Sequence, residues 1–398
     1  MIGWKIIRGR GGSLRYKMGQ WVYFLLVWCI CSSPFLVHAE DPQTGIGSSV
    51  GAIKEGADIP ALKKLENRRF VPVPVPISNP TIGSGLEFGL LYLWPKKEDQ
   101  PDTPQSISGV GGLYTSNPCW AVGLVHQGFY AGDKIRISGL LGYGDFNLKF
   151  YGIGADSSFR DDPLDYTSTF TFFHPQARFR FPYISKDLFI GLGLFYLDAN
   201  VSFESSNISS ILPDLSLEER SVGLGPILTY DSRDDVHWPS KGTWLDFSVF
   251  DFDKGIGSNF DFWRFILKWE QNFPLTESLV LQYRYDGQYV DGHTPFYLLP
   301  NIHLRGFPQG LYADNMAMTL QGQLRWDILD KWTLMFFGGG GRVGDDLSDL
   351  GSNSTEYAGG IGFRYMIAPA SKISIGCDFA YGEDGFAFYV EVGDVLSH

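Results

Sequence analysis

Asn301–Tyr312, which reads NIHLRGFPQGLY, occupies a connection over residues 290–315 between two alternating segments, Ser278–Tyr289 and Met316–Asp327. Hairpin loops ordinarily run to about five residues, so a connection this long inside a β pattern either has a function or lacks structure. This one carries Leu304, Arg305, Gly306 and Phe307, is flanked by Phe296, Tyr297 and Tyr312, and contains no polar low-complexity run. Such a composition suits a loop that packs against a wall. The expectation is a long outer loop folded back into a barrel lumen, with Arg305 as its charged tip.

The segments around the loop alternate with a period of two, the signature of strands. Trp263, Phe265, Leu267 and Trp269 share one face of the segment 260–272, and Arg264, Lys268 and Glu270 share the other. Leu279, Leu281, Tyr283 and Tyr285 oppose Gln282, Arg284 and Asp286. Met318, Leu320, Leu324 and Trp326 oppose Thr319, Gln321, Gln323 and Arg325. In a soluble sandwich the apolar face is the core. In an outer-membrane barrel it meets lipid and the polar face lines the lumen. Strands of about ten residues match a tilted membrane span, and aromatics such as Trp326 and Trp332 cluster at strand ends. The fold class expected is all-β, a transmembrane antiparallel β-barrel of about sixteen strands.

Composition agrees with that reading. The 398 residues include 48 Gly, 16% aromatic and only 19% charged side chains, with a net charge of −12. An acidic chain offers nucleic acid no electrostatic footprint. Lys5, Arg8, Arg10, Arg15 and Lys17 precede an apolar run from Trp21 to Val37, and Val37-His38-Ala39 offers a small-residue cleavage site. Residues 1–39 are therefore expected to be a signal peptide. Residues 40–82 read as a short, low-order periplasmic segment containing the Val71–Pro76 repeat. That repeat, lacking alternate amide donors, is expected to be polyproline-like chain rather than a strand. Residues 83–398 are assigned to the barrel, with the first strand at Ser84–Trp94 and separate fourth and fifth strands at 134–141 and 146–152. The connections 95–106, 153–166, 205–216, 290–315 and 344–356 are expected outside, and Asn117-Pro118, Asp330 and 368–371 inside. Cys119 and Cys377, with no CxxC or metal-ligand spacing, read as ordinary side chains.

Four segments resemble the BamA/TamA-type outer-membrane assembly factors, whose barrel is the bacterial surface antigen domain. Leu304-Arg305-Gly306-Phe307 is similar to that family's loop-tip motif, and it falls between the eleventh and twelfth expected strands, as it does there. Asp231, Arg233, Asp234, Pro239 and Gly242 resemble its periplasmic turn. Phe336–Val343 (FFGGGGRV) and Gly360–Tyr365 followed by Ile375–Gly382 resemble its glycine-rich and closing strands. The resemblance covers roughly residues 220–398. Three departures stand out: no room for POTRA repeats, Gln323 where an acid is expected, and a C-terminus without a terminal aromatic.

The resemblance implies a loop tip whose arginine pairs with an inward carboxylate. Strand parity nominates Asp378, with Glu391 as a second acid and Arg364 beside it. It also implies a weak seam between first and last strands that templates a client strand by edge pairing. The function implied is insertion or translocation of protein, or of lipid, at the bacterial outer membrane. Partners would be outer-membrane lipid, client proteins and a periplasmic protein. A passive channel or porin is the alternative.

No enzyme, cofactor or metal site is expected. The histidines at 126, 174, 237, 293, 303 and 398 have no serine partner at a diagnostic spacing, and Gly338–Gly341 is not followed by the Lys-Ser/Thr of a phosphate loop. Calcium binding by the acidic turn is a lesser alternative to acids that cap backbone amides.

Overall fold

A computed structural model describes residues 69–79, 81–95, 99, 100, 103–203, 216–369, 372–383 and 385–392. The expected signal peptide and most of the low-order segment lie outside the described residues. Sixteen strands follow one another in a single antiparallel meander, each bonded to its sequence neighbours. They are β1 (Phe70–Asn79), β2 (Gly83–Leu93), β3 (Ile107–Thr115), β4 (Trp120–Tyr130), β5 (Ile135–Phe150), β6 (Leu164–Arg180), β7 (Leu188–Phe203) and β8 (Ser216–Asp231). The second half comprises β9 (Gly242–Phe252), β10 (Phe262–Pro274), β11 (Leu279–Gly292), β12 (Met316–Leu329), β13 (Trp332–Gly344), β14 (Glu356–Ala368), β15 (Ile373–Gly382) and β16 (Gly385–Val392). Among the described residues, no strand pairing joins β16 to β1, so the sheet is not closed by a ladder.

The faces sort as a membrane barrel requires. Trp263 and Leu267 of β10 are 46% and 37% exposed, whereas Arg264 and Glu270 on its other face are 2% and 0% exposed. The same inversion places Leu320, Phe336, Ile361 and Tyr381 outward, and Gln323, Arg325, Arg364 and Asp378 inward. Apolar side chains meet hydrocarbon, and polar ones gather inside, where they bond to one another.

Two sequence expectations are corrected. The Val-Pro repeat is a strand, β1, in register with β2 from Phe70↔Tyr92 to Asn79↔Gly83. Alternation made this permissible: every proline falls on the side of β1 away from β2, where no ladder donor is required. The fourth and fifth expected strands are one, β5, which pairs without interruption with β6. Gly142 and Gly144 lie between the two expected strands, but the pairing with both neighbours runs through them.

The two changes cancel in the strand count and reverse the ends of the N-terminal strands. Gln100, in the connection after β2, accepts from Gly132 N at 3.1 Å, and Arg136 at the start of β5 reaches Asp231 at 2.6 Å. Gln100 therefore lies at the end of the turn after β8, opposite the long loop. The Asn117-Pro118 turn moves to the loop end.

The lumen is not hollow at the loop end. Phe146, Tyr166, Phe170, Phe172, Phe195 and Phe252 from the first nine strands form an apolar core with Phe296, Tyr297, Leu298 and Leu299 of the loop. These strands carry apolar residues on both faces, unlike the C-terminal half.

Candidate functional site

The loop after β11 enters the lumen as a folded limb. A 3-10 turn at Phe296–Leu298 sets the Phe296 ring 5.3–5.7 Å from those of Tyr166, Phe203 and Phe150. Arg264 of β10 fixes the same turn, donating to the Leu298 carbonyl at 3.0 Å and to Gln288 at 2.6 Å. Asn301 bridges Ala313, and Ile302 N donates to Tyr312 O at 3.1 Å, so the segment closes on itself like a hairpin. Beyond that neck, Leu304, Phe307, Leu311 and Tyr312 pack on Ala317 and Val343 of the wall.

The tip turns at Gly306. Its φ of +110° is one that L side chains rarely adopt, and an added Cβ would lie 3.2 Å from Ala358 Cβ, Gly382 N and Tyr381 C. The turn aims Arg305 at the wall. One amino group donates to Asp378 Oδ2 at 2.6 Å, the other to Gln323 Oε1 at 2.8 Å, and the guanidinium lies 3.5 Å from the centre of the Phe337 ring. Asp378, 0% exposed, also accepts from Arg364 at 2.6 and 3.0 Å. Two buried cations thus share one buried carboxylate, with hydrogen bonds on both of its oxygens. Gly362 leaves the room for this, because a Cβ there would overlap the Asp378 carboxylate.

Strand register explains why these residues converge. Asn272, Gln282, Gln323 and Phe337 lie directly opposite one another on β10, β11, β12 and β13. Gly362, Asp378 and Tyr389 do the same on β14, β15 and β16. Along the first row the amides form a directional relay. Gln323 Nε2 donates to Gln282 Oε1 at 2.9 Å, Gln282 Nε2 to Asn272 Oδ1 at 2.8 Å, and Asn272 Nδ2 to Glu270 Oε1 at 2.7 Å. Arg233, in the turn after β8, donates to Glu270 Oε2 at 3.3 Å. A cation stands at each end, a carboxylate before the second, and three amides pass the same polarity between them.

That relay links the loop tip to the turn at the opposite end. There Asp231 accepts from Arg233 at 2.9 and 3.1 Å and from Arg136 at 2.6 Å. Asp234 accepts from the Ser240 and Lys241 amides, and Asp235 from those of His237 and Trp238. Lys372 approaches Asp235 at 3.2 Å. Burial alone raises the Asp235 carboxyl, but the Trp238 and His237 amides and Lys372 outweigh it, and the net shift is downward. Asp231 and Glu270 hold the Arg233 guanidinium above its ordinary value despite burial. Gly242 closes the turn at φ +103°, and Pro239 sits within it.

Glu391, nominated beside Asp378, lies across from Gly376 in the β15/β16 register; the second acceptor of Arg305 is Gln323. Reading the sequence alone also omitted Tyr389, whose hydroxyl accepts from Gly306 N at 2.9 Å, and Phe337. Alternation bears on which face of a strand turns inward, not on which of its residues the tip reaches.

This arrangement defines a class: a bacterial outer-membrane β-barrel with a long loop folded into its lumen. Residues 176–365 match the Omp85 superfamily domain. That segment carries an Omp85 superfamily domain, and the barrel as a whole is similar in architecture to BamA. Among solved structures it is similar to BamA from Haemophilus ducreyi lacking POTRA domains 1–3, at 13% identity and a TM-score of 0.52, covering 82% of this chain and 70% of that one. It is similar to CdiB from Escherichia coli at 13% identity and a TM-score of 0.55, covering 82% of this chain and 63% of that one. CdiB from Acinetobacter baumannii gives 10% identity and a TM-score of 0.53, covering 82% of this chain and 60% of that one. The chain spans less than two thirds of either CdiB. No curated protein matches it in sequence.

Proposed function

We propose that this barrel assists insertion or translocation of polypeptide, or of lipid, at the outer membrane, with the loop as an anchored plug and the β1/β16 junction as a seam. One observation carries the reading: the plug holds both sides of that junction. Gly306 N donates to Tyr389 of β16, and Gln309 N donates to Thr81 Oγ1 in the β1–β2 turn at 3.0 Å. Arg305 adds Asp378 of the penultimate strand. A loop so placed is suited to couple its own docking to the state of the seam. The class of the solved neighbours supports client proteins as partners, with lipid and a periplasmic protein as further ones. A passive channel fits poorly with the aromatic core at the loop end. The role is non-catalytic in this reading.

The test is depletion of the protein in its native host followed by quantitation of the outer-membrane proteome. Loss of a defined set of barrel proteins or surface-exposed chains supports the proposal. An unchanged proteome with altered uptake of small solutes favours the channel.

A further inference from the structure

The two edges at the β1/β16 junction are chemically unequal. Leu93 N donates to Arg69 O at 2.8 Å, in the pair that precedes Phe70↔Tyr92. Directly bonded pairs recur at every second residue of an antiparallel ladder. Val71, Val73, Val75 and Ile77 therefore exchange bonds with β2, and Phe70, Pro72, Pro74, Pro76 and Ser78 direct their backbone groups toward β16. The other side of β2 agrees: Ser116 N donates to Ser84 O at 2.6 Å and Trp94 N to Ser106 O at 3.0 Å, so its even positions face β3. Three successive positions on the free edge of β1 thus carry a carbonyl and no N–H.

The same reasoning on the far side gives a different edge. Met366 N donates to Lys331 O at 2.9 Å, which assigns the even positions of β14 to β13. Odd positions of β14 and β15 then pair together, even positions of β15 bond β16, and Phe386, Phe388 and Val390 face the junction. Each of these brings both a donor and an acceptor. Against the proline stretch, β16 can donate but receives nothing, and hydrocarbon supplies no water to replace the missing donors.

We infer that strand capture at this junction is one-sided: an extended polypeptide segment with free amide donors adds to β16, displacing β1, and does not add to β1. This rests on the assembly reading above and names its partner and the edge that receives it. The proline edge keeps β1 from sealing the barrel and from pairing with a client. Donor–acceptor complementarity selects the occupant, since β16 needs N–H groups at alternate positions and any extended chain without proline supplies them.

The experiment uses the full chain in phosphatidylcholine vesicles, with P72V/P74V/P76V and the single P74V as variants. Three restored donors should slow amide exchange at Phe386, Phe388 and Val390 by about a hundredfold if opening is concerted. The single variant should give a smaller slowing, so the test survives a triple variant that fails to insert. The probe is a ten-residue peptide of alternating valine and threonine bearing a benzophenone, alongside the same peptide N-methylated at alternate residues. Crosslinks on β16 that N-methylation abolishes, and that the triple variant weakens at least tenfold, are expected. Crosslinks on β1, equal capture of the N-methylated peptide, or exchange at β16 unchanged by the substitutions would overturn the one-sided junction while leaving the assembly reading standing. Capture at neither edge would overturn both.

Discussion

Arg305→Ala removes the side chain that bonds the loop tip to β12 and β15. It deletes a charge-assisted bond to Asp378 at 2.6 Å, a bond to Gln323 at 2.8 Å and the ring contact with Phe337. A hydrogen bond to a charged group contributes about 1.5–3 kcal/mol, and a desolvated cation–π contact about 2 kcal/mol. Asp378 retains both bonds from Arg364, so it is not left as an uncompensated buried charge. The net cost is therefore set at about 3 kcal/mol, the low end for removing one partner from a buried pair. Asp378→Asn is the harsher change, because two buried guanidinium groups lose the counterion they share; about 5 kcal/mol is expected. The assay is chymotrypsin cleavage after Tyr312 of the same loop in detergent micelles, which tracks the undocked population when redocking is fast. A cost of about 3 kcal/mol corresponds to cleavage roughly a hundredfold faster in Arg305→Ala. Urea unfolding followed by tryptophan fluorescence should rank wild type above Arg305→Ala above Asp378→Asn. Unchanged cleavage, with unfolding altered by less than about 1 kcal/mol, would refute the claim that this ion pair holds the plug.

Other substitutions probe the surrounding parts. Gln323→Glu gives Arg305 a second carboxylate but takes from Gln282 Oε1 its donor, so cleavage after Tyr312 should slow while the unfolding free energy falls by about 1–2 kcal/mol. Movement of both in the same direction would argue against the relay. Gly306→Val forces a β-branched residue to φ +110° against Ala358 and Gly382, and should cost about 2–3 kcal/mol and release the tip as judged by the same protease. The turn after β8 should loosen in acid. Asp235 titrates below its ordinary value of 3.8, so its contribution is present above that pH and is lost as pH falls through the lower folded value. Amide exchange at His237 and Trp238, corrected for intrinsic rates, should be protected at pH 6 and lose protection as the pH is taken progressively below 3.8; protection that stays equal throughout would contradict it.

The C-terminal half was legible because its strands keep a clean period of two. The inward set Arg264, Glu270, Gln323, Arg364 and Asp378 follows from alternation alone, with apolar residues opposite. What alternation does not carry is register, and register makes the site: Asn272, Gln282 and Gln323 become a relay only because they fall opposite one another on successive strands. The N-terminal half was less readable for a physical reason. Its inward residues are Phe146, Phe170, Phe172 and Phe195, which pack on the loop, so the polar signal of a wet lumen is missing. The Val-Pro repeat misled in a different way. Proline is ordinarily a defect in a strand, whereas here its spacing confines every missing donor to the open edge.

Single-channel conductance in planar bilayers, comparing wild type with Arg305→Ala, tests the plugged barrel most directly. A small, flickering wild-type pore that becomes larger or unstable in the variant is the predicted result. A large, steady wild-type pore that Arg305→Ala leaves unchanged would contradict the account and favour a passive channel.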